Sequence, residues 1–437
     1  MSRIFKICLL LNLLFIASCS KNENNSFVGK KIEFKKNKIE VNKRSFDETS
    51  QLDQQINNNS WVQKGGDEFH SLSNIVFKFP MKKKWSFDSD QEVSDDLPLL
   101  TEPIAFDGKL YVLNDQGYLY SLNIENGNLE WKLKVFSTNN NLLLGSGSLV
   151  ISKKSNSLFL HNGSNKIISL NLKTKKINWA KKFKMPLRGS FGIKNNNLFI
   201  NDFDGNLINL KTEDGNILWK NKLNSSKVSM YTNSRPIIVK NNLINPGPNG
   251  MFHILNIKSG NLVFSDILSS SNRETKFFDN NDIISNPIFK NPYFYINSHS
   301  GKISAYNFLS FKNKWSVPIG SKNTPIISGK TIFNIDNRGY LYALDRENGS
   351  VRWKTKFHSE IKTGYFFEET KFINFIGPYV ISNKVVLLDD KQNMYLIDPD
   401  NGKVVSKKSL NGKVSSGIFL TDQIIFLYSN GIITSYN

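Results

Sequence analysis

The sequence predicts an all-β chain folded as an eight-bladed β-propeller of four-stranded antiparallel blades, with the last blade closed by an N-terminal strand. Three observations carry this. A unit with Gly at its first position, Gly ten residues on and Trp four further recurs at Gly117–Gly127–Trp131, Gly205–Gly215–Trp219 and Gly339–Gly349–Trp353. Degenerate copies keep the spacing at Asn165–Lys175–Trp179, Gly250–Gly260–Phe264, Gly301–Phe311–Trp315 and Gln392–Gly402–Ser406, with 38 to 53 residues between successive Trp-type positions. Such periods belong to solenoids and propellers. Finally, an eighth unit opens at Gly431 with only six residues left to Asn437, whereas Trp85 in "KKKWSFD" has no unit in front of it.

Each strand has its own signal. A short apolar stretch ("EPIAF", "RPIIV", "NPIFK", "TPIIS") reads as the first strand of a blade, and a second run ("KLYVL", "NLFIN", "TIFNI", "VVLLD") follows it. After a polar Asn/Asp/Gly turn comes an alternating third run such as "LYSLN" or "LYALD", which makes a hairpin. The second Gly sits in turns such as "IENGN" and "RENGS", where a positive φ favours it. The fourth strand carries Trp131, Trp179, Trp219, Phe264, Trp315 or Trp353, a structural position buried between neighbouring blades, because one blade alone cannot cover such a face. Trp85 is expected to fill the same role in the last blade, so that the ring exposes no open edge there.

The N-terminus reads differently. "MSRIFKICLLLNLLFIASCS" has a basic start, an apolar run from Ile7 to Ala17 and a small-residue exit, the pattern of an export signal. The run is shorter than the roughly 20 residues that span a bilayer. "FIASC" resembles the bacterial lipobox, which implies lipid attachment at Cys19. The expected organisation is a signal peptide over 1–18, a lipidated Cys and flexible Lys/Asn-rich linker over 19–73, and the propeller over 74–437. Cleavage before Cys19 also removes Cys8, so the mature chain would hold no disulfide and no Cys-based metal site. The formal charge of +20 is spread through every repeat and reads as solvated surface, and an exported chain does not meet nucleic acid. One local excess, "KKIEFKKNKIEVNKR" at 30–44, is suited to anionic head groups.

The unit "LYALDRENGSVRW" resembles the quinoprotein-type propeller repeat, with Ala343, Asp345, Gly349 and Trp353 on its pattern. Two groups share that repeat: quinone-cofactor dehydrogenases, and the BamB family of lipoprotein scaffolds in outer-membrane-protein assembly. "WVQKGGDEFHSL" at 61–72 looks like the opening of many such dehydrogenases, and similar openings occur in BamB-like proteins. The enzyme resemblance implies a vicinal disulfide, which this chain cannot form, and a Ca²⁺ site needing about six to eight converging oxygens. Asp88, Asp90, Asp95 and Asp96 cluster in sequence but read as a solvated loop. His70, His161, His253, His299 and His358 show no metal-ligand spacing or nucleophile partner. No catalytic residue, metal or cofactor is expected.

The BamB resemblance has one further local motif. "MPLRGSFG" at 185–192 is similar to the loop by which BamB proteins contact a POTRA domain of BamA, with Met185, Leu187 and Arg188 on its contact positions. Where the family carries an acidic pair before the Pro of the next blade's inner strand, this chain has Tyr231 and Asn233 before Pro236. The resemblance implies a non-catalytic scaffold, monomeric within the assembly complex, bound to BamA and held by lipid to the outer membrane. Ser20 after Cys19 implies the periplasmic face of that membrane. A quinone-dependent dehydrogenase and a glycan- or peptidoglycan-binding propeller are the alternatives. Two longer loops, 269–285 and 358–376, are expected to vary the binding face. Tyr365, Phe366, Phe367, Phe372 and Phe375 of the second either dock a partner or plug the ring.

Overall fold

Alternating apolar residues bury both faces of each blade's middle strands, and the resulting sheets stack around a ring. The computed structural model describes residues 49–90, 101–137, 147–223, 234–268, 282–357, 361–363, 369–371 and 373–437. Eight four-stranded antiparallel sheets are present. Blades 1 to 7 span Ile104–Lys134, Ser148–Lys182, Leu187–Lys222, Ile237–Ile267, Ile288–Val317, Ile326–Lys356 and Phe375–Ser409. Blade 8 takes three strands from Val414–Tyr436 and its outermost strand from Lys83–Asp88, paired so that Trp85 faces Ser435. The predicted architecture and its N-terminal closure are therefore present. A two-stranded hairpin of Ile361–Thr363 with Glu369–Lys371 lies between blades 6 and 7.

The Trp joint is more specific than packing alone. In each of blades 1 to 7 the pairing of third and fourth strands slips by one residue just before the Trp-type position, so that Ser121 pairs with Trp131 but Leu122 with Leu129. A bulge of this kind bends the strand and re-aims the next side chain. Where Trp and the following blade's second Gly are both present, the ring lies against that Gly: a Cβ on Gly349 would stand 2.7 Å from the Trp315 ring, and one on Gly402 2.5 Å from Trp353. The same indoles donate hydrogen bonds to that turn, from Trp315 Nε1 to Arg346 O at 3.0 Å and from Trp353 Nε1 to Pro399 O at 2.8 Å. Trp85, Trp179 and Trp219 repeat both contacts with Gly127, Gly215 and Gly260. Gly is required there by proximity as well as by φ.

The expected flexible linker over 19–73 is corrected from Ser50 onward. Ser50 donates to Pro399 O at 2.6 Å, and Lys330 N–H to Gln51 O at 3.0 Å. Trp61 exchanges two backbone bonds with Ala105 of blade 1, Gln63 bridges Val150 of blade 2, Phe69 O accepts from Phe289 N–H of blade 5, and Ile75 bridges Ile381 of blade 7. The segment thus crosses the axis and binds inner strands around the ring before reaching the Trp85 strand. "KGGD" makes the tight turn in this crossing. Gly65 and Gly66 have φ of +76° and +86°, and a Cβ on either would strike His70 or Trp61. The axis is filled by the chain's own N-terminal segment.

Candidate functional site

Antiparallel order fixes what each face of the disc presents. Connections from one blade's outer strand to the next blade's inner strand share a face with the turns between second and third strands, and the other two hairpin turns lie opposite. The first is the loop face. It carries residues 185–188: 185 and 186 lie between the fourth strand of blade 2 and the first of blade 3, and Leu187 and Arg188 begin that first strand.

The three candidates there divide by burial. Met185 is half-buried, Leu187 has no exposed surface, and Arg188 is half-buried. Leu187 packs with Val150, Phe191 and Leu198 between blades 2 and 3, and its N–H donates to Ser164 O at 3.0 Å. Its expected place as a contact residue is therefore corrected: a side chain with no exposed surface supports the loop from behind. Arg188 is not on a free loop either. It opens the inner strand of blade 3, pairs with Asn201, and holds its guanidinium 5.9 Å from the Phe203 ring centre. Burial lowers its pKa, and Asp282 opposes that shift. Tyr231, Asn233 and Cys19 lie outside the described residues, as do Asp95, Asp96, His358, Tyr365, Phe366, Phe367 and Phe372. Phe375 packs against Phe357 in the seam between blades 6 and 7.

Asp88 and Asp90 are exposed, but Asp88 ends the outermost strand of blade 8 and pairs with Ile432 instead of lying in a loop. Among the described residues no group of three or more His, Cys, Asp or Glu side chains could hold a metal ion. His161 is fully buried: Gly163 N–H donates to its Nδ1 at 3.1 Å, which leaves Nε2–H to donate to Gly189 O at 3.1 Å. Burial lowers its pKa to about 4.

Sequence reasoning missed a buried cation at the axis. Arg235, 1% exposed, donates from Nη2 to Asp67 O at 2.7 Å and to His70 Nε2 at 2.9 Å, while its own N–H donates to Asn286 Oδ1 at 2.9 Å. His70 Nδ1–H in turn donates to Pro287 O at 2.9 Å. Burial, and then the neighbouring Arg235, hold the His70 pKa well below its usual value, so the imidazole stays a neutral acceptor. Burial likewise draws Arg235 down to about 10, against the pull of Asp67, Glu68 and Glu102. This cluster pins the axial turn to blades 4 and 5. Arg235 holds the position before Pro that Glu102, Asn286 and Thr324 hold in the other first-strand stretches, and because the residue type there varies, the pattern marks no buried cation.

Two cavities flank the axial turn. One of about 220 Å³ opens among the residues that lead into the inner strands of blades 1, 5, 6, 7 and 8, on the loop side. The other, about 410 Å³, lies between residues 58–72 and the first hairpin turns of blades 2 and 3.

A family model described as outer membrane protein assembly factor BamB matches residues 144–355. Proteins of that name from Moranella endobia (strain PCIT) and Yersinia pestis are 22% and 19% identical to this chain over 376 and 373 residues. The first alignment covers 82% of this chain and 91% of the relative, the second 84% and 91%. The crystal structure of BamB from Moraxella catarrhalis aligns with a TM-score of 0.67 at 14% identity, over 82% of this chain and all of that one. A europium-containing methanol dehydrogenase aligns with a TM-score of 0.65 at 11% identity, over 85% of this chain and 88% of that one. The structural likenesses show the fold class, an eight-bladed β-propeller. In sequence the chain is similar to proteins named outer membrane protein assembly factor BamB.

Proposed function

We propose that this protein is a non-catalytic scaffold of outer-membrane β-barrel assembly, tethered by lipid on Cys19 to the periplasmic side of the outer membrane. Its loop face binds the POTRA region of BamA through Met185 and Arg188, with Tyr231 and Asn233 from the neighbouring blade. The observation that carries the reading is relatedness to BamB proteins across more than four-fifths of the chain. The axial segment adds support, since residues 61–70 occupy the inside of the ring and brace it from blade to blade. A braced disc presents its loops at low ordering cost, which favours association. Half-buried Arg188 supplies a guanidinium already fixed over Phe203, and a fixed Arg is a frequent centre of binding energy.

Affinity capture from native membranes, with a tag placed between residues 20 and 48, tests this. BamA among the co-purified proteins is the expected result, and recovery without BamA contradicts it. The likeness to a methanol dehydrogenase supplies the competing reading. It calls for a quinone absorbance that co-elutes with the purified chain and for dye reduction in the presence of Ca²⁺, and neither is expected.

A further inference from the structure

The smaller axial cavity has a chemistry that the assembly role does not use. Its walls combine two lysines with an apolar and aromatic surface: Lys64 and Lys322 face a space that Trp61, Ile326 and Tyr379 also line. Lys64 is already satisfied, its Nζ lying 2.9 Å from Glu102 Oε1. Lys322 is different. It donates to Asn374 Oδ1, a neutral acceptor. Asp390, the carboxylate that acts on it, accepts through Oδ2 from the N–H of Asn374 and from that residue's side-chain amide, at 3.0 and 3.1 Å. Burial lowers the Lys322 pKa, against the pull of Asp390 and with the like charge of Lys413 adding to the shift. Arg235 stands behind the axial turn as a further fixed positive charge. Among the described residues that line this space Glu102 is the one carboxylate.

We propose that this cavity binds a small carboxylate bearing an apolar or aromatic body, with Lys322 taking the carboxylate and Trp61, Ile326 and Tyr379 enclosing the body. The pairing follows from the arithmetic of burial: an ammonium held by one neutral acceptor gains most from a charge-assisted bond, and the apolar walls gain from covering. A volume of about 220 Å³ suits a ligand of phenylpropionate size rather than a sugar chain. The site is separate from residues 185–188, so its fate does not depend on partner binding.

Calorimetric titration of the purified full chain with 3-phenylpropionate, and in parallel with uncharged 3-phenylpropanamide, tests the assignment. Saturable binding of the carboxylate and none of the amide is expected. Lys322→Met should weaken binding at least ~10-fold, the usual cost of losing a hydrogen bond to a charged group. Glu102→Gln, which releases Lys64, should strengthen it. Absence of saturable binding, equal binding of the amide, or unchanged affinity in Lys322→Met overturns the proposal. Should Lys322→Met fail to fold, Glu102→Gln decides alone, and equal or weaker binding by that variant overturns it.

Discussion

The seam between blades 6 and 7 and the seam between blades 4 and 5 solve one problem in two ways. At the first, Trp353 lies on Gly402 and donates to Pro399 O. At the second, Phe264 replaces the Trp and Phe311 replaces the Gly, and the two rings stack 5.7 Å apart at 28°. A Trp against a ring at the Gly position would clash, and a Phe against a bare Gly would leave a void. The two substitutions therefore belong together: Trp and the second Gly, four positions apart in the repeat's consensus, are halves of a single inter-blade joint formed by different repeats. The seam between blades 7 and 8 extends the lesson. Blade 8 has no continuous turn between its third and fourth strands, because these come from opposite ends of the chain, and the Trp position of blade 7 is the exposed Ser406.

Breaking the ring at its closure should have the largest effect. Deleting residues through 90 removes the Trp85 strand and the axial crossing, leaving an unpaired edge and uncovered apolar faces, so aggregation in place of a cooperative melt is expected by light scattering. Deletion through Ser60 keeps Trp61 and everything after it, and should still melt cooperatively. Next comes the standard joint itself: Trp353→Ala should lose about 3–5 kcal/mol in denaturant titrations as a cavity opens.

The inner half of the seam between blades 2 and 3 adds a pH dependence. His161 holds its folded pKa at about 4 against an ordinary value of 6.5. The unfolded chain therefore takes up the proton first as the pH falls. Stability from this residue is complete above pH ~6.5, declines through the window down to pH ~4, and is flat below, a loss of roughly 3 kcal/mol. His161→Gln should flatten that part of the profile, and an unchanged slope would exclude the residue as its source.

Gly349→Ala is expected to cost about 2–4 kcal/mol, combining a strained positive φ with overpacking on Trp315. Lys175 occupies the equivalent repeat position at φ +59° with its side chain exposed, and Lys175→Ala should change stability by less than about 0.5 kcal/mol. Equal costs at the two sites would remove proximity as the reason for Gly. Phe264→Trp should destabilise alone and recover when combined with Phe311→Gly.

The ring was legible because its information is periodic. Trp85, Gly431, the three intact units and the four degenerate ones suffice to count eight blades and to find the closing strand. The axial crossing was not legible, because its ties are single bridges at Trp61, Gln63 and Ile75 and carry no alternation or period. The resemblance of "MPLRGSFG" to a contact loop puts Arg188 on a surface loop, yet the ring of Phe203 and the nearby Asp282 accommodate it at the head of a strand. Leu187 follows the opposite logic: its apolar character suits either an interface or a core, and neighbours from blade 2, absent from its own motif, decide for the core.

The difference between Arg188 and the Trp joints gives the most direct test of the functional account. Arg188→Met keeps an aliphatic stem over Phe203 and removes the charge, so melting should shift by no more than about 1 kcal/mol. Binding of the purified variant to the BamA POTRA region should fall by more than about tenfold, the consequence of losing a central interface residue worth about 2 kcal/mol. An intact fold with weakened binding is the predicted result, and an intact fold with undiminished binding would contradict the assigned partner surface.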